Sequence, residues 1–222
     1  MDDNKLTAIV FGASGLTGRF VTEQLISDSR YGEIKLIVRK EIKIPSGKFR
    51  QYLFTPENIA EIESQITGDH LFCCLGSTIK KAGSKKAFFD IDHNMVEKIA
   101  KMAAVNKVKS FVVISSIGAK DSSGNFYLNT KGKMEESVKA FTFQNLSIVR
   151  PSILMGMRKE QRTFENLGKL FSKLLSPLML GPLKKYKPIH SATVAKAMIE
   201  LANRSKGCFV VESDELQELG RN

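Results

Sequence analysis

The sequence predicts an α/β fold, a doubly wound parallel β-sheet with helices on both faces. Three observations predict it. Short apolar runs alternate with helically spaced segments along the chain. The runs are apolar at both alternating sets of positions, as strands buried on two faces must be. A glycine-rich turn follows the first run directly and opens the first helical segment. At 222 residues the chain suits one domain spanning 1–222.

The elements follow in order. Leu6 to Phe11 is a first strand, and Leu16 to Asp28 carries Phe20, Val21, Leu25 and Ile26 at helical spacing. Ile34 to Val38 is a second strand, and Lys48 to Phe54 a weaker third. Pro56 to Ile66 fits a short helix with Thr55 as N-cap and Pro56 at its first position. His70 to Leu75 is a fourth strand and Phe88 to Val105 a long helix. Phe111 to Ser115, a helix over Tyr127 to Phe141, and Leu146 to Arg150 follow. Phe164 to Leu175 and Ala192 to Asn203 have helical spacing, and Cys208 to Val211 is the last strand.

Composition narrows the class. Hydrophobic residues are 42% and charged residues 26%, a globular balance. No apolar run approaches the length of a membrane span, and the polar start Met1–Lys5 lacks a secretory pattern. The three cysteines, Cys73, Cys74 and Cys208, have no framework spacing, which predicts buried thiols in a reducing, cytoplasmic setting. His70, His93 and His190 are scattered away from any cysteine pair, so no metal site is expected. The net charge is +11. Its lysines and arginines fall in separated clusters (Lys80, Lys81, Lys85 and Lys86; Arg158 to Lys173; Lys184, Lys185 and Lys187). None is interleaved with aromatics as a strand-binding groove would be, which argues against nucleic acid. A solvated basic surface, or an electropositive mouth for anionic ligands, fits better.

The turn Gly12-Ala13-Ser14-Gly15-Leu16-Thr17-Gly18 places glycines three apart between a strand and a helix. In that context Gly12 turns the chain, Gly15 lets backbone approach a pyrophosphate, and Gly18 allows close helix packing. Amides at the helix N-terminus then face the phosphates of a dinucleotide. This is the pattern of a Rossmann fold. The second strand ends Val38-Arg39-Lys40, bases where an NAD enzyme places an acid. Arg39 and Lys40 suit a ribose 2′-phosphate, so NADP(H) is expected ahead of NAD(H).

Tyr127 and Lys131 stand at i and i+4, on one helix face, and Ser115-Ser116 ends the strand before them. Reduction of a carbonyl needs a proton at the developing oxyanion. A free phenol with a pKa near 10 is a poor exchanger at neutral pH, and a nearby ammonium favours its phenolate form. A serine hydroxyl polarises the carbonyl. Ser116 is the first choice for that role, with Ser115 beside it.

These three motifs, in this order, resemble the short-chain dehydrogenase/reductase superfamily. More narrowly, Phe72-Cys73-Cys74-Leu75-Gly76-Ser77, Lys81-Ala82-Gly83, Ser115-Ser116-Ile117-Gly118-Ala119, Arg150-Pro151-Ser152 and Tyr186 to His190 resemble its atypical, Tat-interacting-protein-like branch. The resemblance covers about Leu6 to Leu201. It implies a seven-stranded core, Tyr127 as proton donor assisted by Lys131, and a cofactor lined by Leu75, Gly76, Ser77 and Ile114. It also implies that Pro151, Ser152 and Ile153 lie near the nicotinamide, and that residues 151–203 form a substrate-side lid or pocket. Two positions depart from the branch: Leu53-Phe54-Thr55 where relatives carry an aspartate near the adenine, and Asp92 where extended relatives carry an asparagine.

The leading expectation is an NADP(H)-dependent oxidoreductase acting on a carbonyl-containing small molecule, as a monomer or homodimer. The alternatives are a catalytically weak NADP(H)-binding module with a protein partner, and an epimerase or dehydratase. His190 is expected to fix the turn before the last long helix rather than to bind substrate. Met155, Met157 and Leu178 to Leu180 form an apolar set suited to core, lid or pocket. Phe164, Leu167, Leu170, Phe171 and Leu174 could be core or an oligomer face.

Overall fold

A computed structural model describes residues 5–156, 181–204 and 206–221. Seven parallel strands form one sheet. They are β1 (Leu6–Phe11), β2 (Tyr31–Val38), β3 (Phe49–Leu53), β4 (His70–Cys73), β5 (Ser110–Ile114), β6 (Asn145–Arg150) and, after a short pair described below, β9 (Gly207–Glu212). The spatial order is β3-β2-β1-β4-β5-β6-β9. The chain therefore starts mid-sheet, runs to one edge, and returns beside β1 to build the other half. Order reverses between β1 and β4, and in such sheets ligands bind in the crevice outside the strand carboxyl ends at that point.

Strand alternation divides the core in two. Ala8, Val10, Leu36, Phe72, Val112 and Val149 face one side. There they meet α1 (Leu16–Ser27), α6 (Ser191–Ala202) and α7 (Ser213–Leu219). Ile9, Phe11, Ile37, Leu71, Phe111, Val113 and Ile148 face the other side, against α4 (Met95–Val105) and α5 (Phe126–Lys139). Each of these side chains larger than Ala8, fully withdrawn from water, contributes about 1.5–3 kcal/mol. Both faces are covered, which is why the strands read as continuous apolar runs.

Two expected helices differ in form. The segment from Pro56 to Ile66 is a 3₁₀-helix over Ile59–Gln65. Thr55 and Asn58 hydrogen-bond each other ahead of it, Thr55 N to Asn58 Oδ1 at 2.5 Å and Asn58 N to Thr55 Oγ1 at 3.3 Å. Only Ile59 and Ile62 are buried within it, and that three-residue spacing matches a 3₁₀ period. The long helix expected from Phe88 begins earlier and in pieces. These are α2 (Ile79–Ala82), α3 (Lys85–Phe89), a π-turn (Asp90–Asn94) and then α4. Thr78 caps α2 by accepting from Lys81 N, and Ser84 caps α3 by accepting from Ala87 N. Gly83, at φ +89°, turns the chain between them, a left-handed conformation that favours glycine.

After β6 come a short β7 (Leu154–Met155) and β8 (Ile189–His190), paired in parallel, and a 3₁₀ turn over Gly181–Tyr186. No helix among the described residues is long and apolar enough to cross a membrane. The helix expected at Phe164 to Leu175, with its apolar set, Met157, and Leu178 to Leu180 lie outside the described residues.

Candidate active site

Strand register gathers the motifs at one edge. Phe11, Cys73, Val113 and Ile148 are successive partners across the sheet, so the residues after β1, β4, β5 and β6 leave it side by side. Cys74 N bonds to Phe11 O at 2.9 Å, Ser115 N to Val149 O at 2.8 Å, and Ile117 N to Pro151 O at 3.1 Å.

The glycine turn is held by its own backbone. Gly12 has φ +78°, and a Cβ there would stand 2.6 Å from Cys74 O. A Cβ at Gly18 would lie 2.1 Å from Gly12 O, so the first helical turn sits directly on the loop. Gly15 is the N-cap of α1 and offers no capping side chain, and the first turn holds no acid. Its leading amides are therefore open to an anion. Ala13 is buried, Ser14 exposed and Leu16 half-buried. Thr17 is buried, and its Oγ1 has no hydrogen-bond partner among the described residues. Uncapped amides and an orphan hydroxyl together fit a phosphate-bearing ligand at this turn.

Arg39 and Lys40 are exposed just past β2. Neither pairs with an acidic side chain among the described residues. The loop that carries them is pinned to β3, because Gln51 accepts from Ile42 N and donates to Ile42 O, both at 2.9 Å. Leu53 is 54% exposed at the end of β3.

Beyond β4, Leu75 and Ser77 are half-buried and Gly76 is exposed. Ser77 N donates to Asp92 Oδ2 at 2.8 Å. Asp92 sits in the π-turn, wholly buried, and its Oδ1 is 2.8 Å from Lys131 Nζ. That contact is a charge pair more than an aligned hydrogen bond. Lys131 Nζ also donates to Ile114 O at 3.3 Å. Burial works against the Lys131 ammonium, but Asp92 and Tyr127 outweigh it, and the lysine titrates above its ordinary value. Tyr127 is half-buried, its ring tilted against buried Phe88 with centroids 5.4 Å apart.

The two serines separate. Ser115 is buried and its hydroxyl donates to Glu135. Glu135 is itself buried and grips Arg150 through Nε at 2.9 Å and Nη2 at 2.5 Å. Arg150 Nη1 continues to Glu212 Oε1 at 3.2 Å. The Glu135 hydrogen bond holds the Arg150 guanidinium above its ordinary value, against burial. Ser116 is half-buried, and its hydroxyl makes only a 3.4 Å contact with Ile117 O. Ser116 thus stays uncommitted among the described residues, and Ser115 is committed to the ion network beneath.

Pro151 is buried, and the Ser152 hydroxyl donates to Lys187 O and accepts from Ser213 Oγ at 3.0 Å. Ile153 is 56% exposed. His190 caps α6, accepting from Ala192 N at 3.2 Å, the structural role expected of it. Burial pushes the Cys73 thiol up to about 12 and Cys74 in the same direction. Cys208 is exposed and Cys74 half-buried, which corrects the reading of three buried thiols: the strand of Cys208 presents alternate residues to solvent, and Cys74 lies just past the end of β4. Among the described residues no three His, Cys, Asp or Glu side chains converge as metal ligands.

From the sequence Asp92 stands out only as a departure, Arg150 only as part of a motif and Phe88 only as a helix residue, and Glu135 does not stand out at all. Glu135 stands four residues after Lys131, the same spacing that flagged Tyr127, and that was the available signal.

The sheet order, with the motifs gathered at the strand carboxyl ends, is that of a Rossmann protein of the short-chain dehydrogenase/reductase type. A family model described as NAD(P)H-binding matches residues 12–205, and the chain belongs to that family, in its atypical branch. It is 32% identical to Protein HTATIP2 of Rattus norvegicus over 169 residues, 74% of this chain and 69% of that protein. It is 32% identical to Protein FMP52-1, mitochondrial, of Scheffersomyces stipitis over 224 residues, covering 96% of this chain and 98% of that one. Among solved structures, MoeE5 in complex with UDP-glucose and NAD superposes with TM-score 0.70 at 16% identity, covering 96% of this chain and 80% of that chain. A UDP-N-acetylglucosamine 4-epimerase from Methanobrevibacter ruminantium gives TM-score 0.70 at 15% identity, covering 97% and 81%. At that identity the likeness is one of fold.

The relatives overturn the cytoplasmic expectation, since the yeast FMP52 proteins are named mitochondrial. That expectation rested on free thiols, and free thiols do not distinguish one reducing compartment from another.

Proposed function

We propose that the protein is an NADP(H)-dependent oxidoreductase that reduces a carbonyl or related group on a small molecule. The observation that carries this reading is the convergence, at one sheet edge, of an uncapped glycine turn, a buried lysine beside Tyr127, and a serine hydroxyl left uncommitted. A bound dinucleotide would supply the hydride. The turn from Gly12 to Gly18 would hold its pyrophosphate by backbone amides and Thr17 Oγ1. Arg39 and Lys40, exposed and without acidic partners among the described residues, would hold the 2′-phosphate and so favour NADP(H) over NAD(H). Leu75, Gly76, Ser77 and Ile114 would line the cofactor, with Pro151, Ser152 and Ile153 beside its nicotinamide. Ser116 would hydrogen-bond the substrate oxygen and Tyr127 would protonate it, with Lys131 holding charge beside the phenol. On this reading the chain is one domain whose residues 151–203 complete the substrate side.

Calorimetric titration with NADPH and with NADH tests the reading. Charge-assisted hydrogen bonds to the 2′-phosphate are worth about 1.5–3 kcal/mol, so NADPH is expected to bind roughly ten- to a hundredfold more tightly. Arg39→Ala should remove most of that preference. NADPH consumption against a panel of ketones and aldehydes should then be abolished by Tyr127→Phe. Equal affinity for the two cofactors would overturn the NADP(H) assignment. Turnover unaffected by Tyr127→Phe would overturn the chemistry. Cofactor binding without turnover would leave the NADP(H)-binding module in its place.

A further inference from the structure

We propose that Ser137 is a second reactive centre, a nucleophile served by His93 that takes an acyl group from a thioester. Four side chains outside the site described above form a line of hydrogen bonds. Ser137 Oγ lies 3.1 Å from His93 Nε2, and His93 Nδ1 lies 2.8 Å from Asn94 Oδ1. Asn94 Nδ2 donates to Asp90 Oδ1 at 2.8 Å, and Lys86 pairs with the other Asp90 oxygen at 3.4 Å. Asp90, His93 and Asn94 belong to the π-turn, and Ser137 to α5, 44 positions after His93. Ser137 stands six residues after Lys131, so it presents a different face of that helix.

The direction of each bond follows from the chemistry of its ends. A carboxylate only accepts, so Asp90 draws the amide nitrogen of Asn94 toward itself and leaves the amide oxygen toward His93. That oxygen also only accepts, so His93 Nδ1 carries a proton. In the neutral imidazole Nε2 is then bare and accepts from the Ser137 hydroxyl. Phe89 holds the ring in this orientation, stacked on it with centroids 4.5 Å apart and planes 17° apart. A hydroxyl in a helix ordinarily bonds the carbonyl four residues back, as Thr22, Ser27 and Thr130 do. Ser137 reaches His93 instead. A serine donating to an imidazole whose far nitrogen is fixed by a third side chain is the arrangement that activates an oxygen nucleophile.

The surroundings favour an acyl donor. A cleft of about 550 Å³ shares Asp90 and Asn94 with the hydrogen-bonded line. Ile91, Met95 and Phe141 give it apolar walls suited to an acyl chain, and Phe141 comes four residues after Ser137. Lys98 and Lys101 stand in the same lining, with Glu97 beside them, and suit an anionic carrier. In the step itself, Ser137 Oγ attacks the thioester carbonyl as its proton passes to His93 Nε2. The carbon–sulfur bond breaks, the thiolate takes that proton and leaves as a thiol, and an ester remains on Ser137. Ser137 lies within α5, whose amides there are spent on the helix ladder, so this helix offers no oxyanion donors. The cluster therefore suits one slow acylation that persists, rather than repeated hydrolysis.

The test incubates the full chain with octanoyl-coenzyme A, without NADPH, and maps acylated residues by tandem mass spectrometry. One octanoyl ester per chain is expected, on Ser137, and Ser137→Ala should lack it. General-base assistance is worth about a hundredfold or more, so His93→Gln should slow formation of the ester by about that factor. Acetyl-coenzyme A, too short to use the apolar walls, should react more slowly than the octanoyl donor. No ester on Ser137, or an ester that forms as fast in His93→Gln, overturns the proposal. Equal rates for the two donors overturn the assignment of the cleft. If His93→Gln does not fold, Asn94→Leu keeps the imidazole and removes the oxygen that fixes its proton. That variant should acylate about tenfold more slowly, and an unchanged rate overturns the proposal. The reaction involves no dinucleotide, so its failure and a failure of the oxidoreductase reading appear in separate assays.

Discussion

His70 should make the protein acid-sensitive in a pH range that can be worked out in advance. It starts β4 at the sheet end opposite the site and is 7% exposed. The Tyr31 hydroxyl accepts from Asn203 Nδ2 at 2.9 Å and shares a 2.8 Å hydrogen bond with His70 Nδ1. Burial lowers His70 from 6.5 to about 4; Asp69 opposes this, and Lys109 and Arg30 add to it. A folded value below the unfolded one means that the unfolded chain binds the extra proton first. Stability is then fully present above pH 6.5 and is lost as pH falls toward 4. A drop of about two and a half units at 1.36 kcal/mol each corresponds to a loss on the order of 3 kcal/mol. Asp28 and Asp69 titrate lower still. Burial raises them, but hydrogen bonds and the charges of Arg30 and Lys109 win, so their contribution falls outside this window. Urea unfolding at pH 7 and pH 4.5, for the parent and for His70→Gln, measures the effect. The variant should be less stable at pH 7 but nearly flat between the two pH values. An equal loss in both proteins would refute the assignment to His70.

Two further outcomes follow from the site. Ser115→Ala should cost about 1–3 kcal/mol by removing a hydrogen bond to the buried Glu135, while Ser116→Ala should leave unfolding unchanged and slow carbonyl reduction about a hundredfold; chemical denaturation and initial rates for both variants check this, and the reverse split would exchange the roles of the two serines. Gly132→Ala should destabilise by about 3 kcal/mol, because a Cβ there would stand 2.2 Å from Asp121 N and Lys120 C, whereas Gly124→Ala, with nothing within 4 Å, should be neutral; thermal unfolding of the pair decides it.

Much of the site was legible before folding is considered because its signals are local. Glycines three apart after an apolar run, and Tyr127 and Lys131 one helical turn apart, are statements about neighbours along the chain. Ser115 and Ser116 show where that ends. Adjacent strand-end residues point in opposite directions, and which one meets Glu135 depends on how α5 packs over β5. The 3₁₀-helix at Ile59–Gln65 was misread for a related reason. Its short apolar pattern fits more than one helical period, and burial of Ile59 and Ile62 together with the Thr55–Asn58 turn selected the tighter one.

The sequence by itself determined the alternation of strands and helices, the glycine-rich turn, the basic end of β2 and the spacing of the phenol and the ammonium, since each depends on residues close in the chain. Only the tertiary structure decided that Asp92 pairs with Lys131 across 39 positions, that Glu135 joins Ser115 to Arg150, and that His70 is buried against Tyr31. These are long-range contacts between charged or polar groups, and their strength comes from burial, which no local pattern encodes.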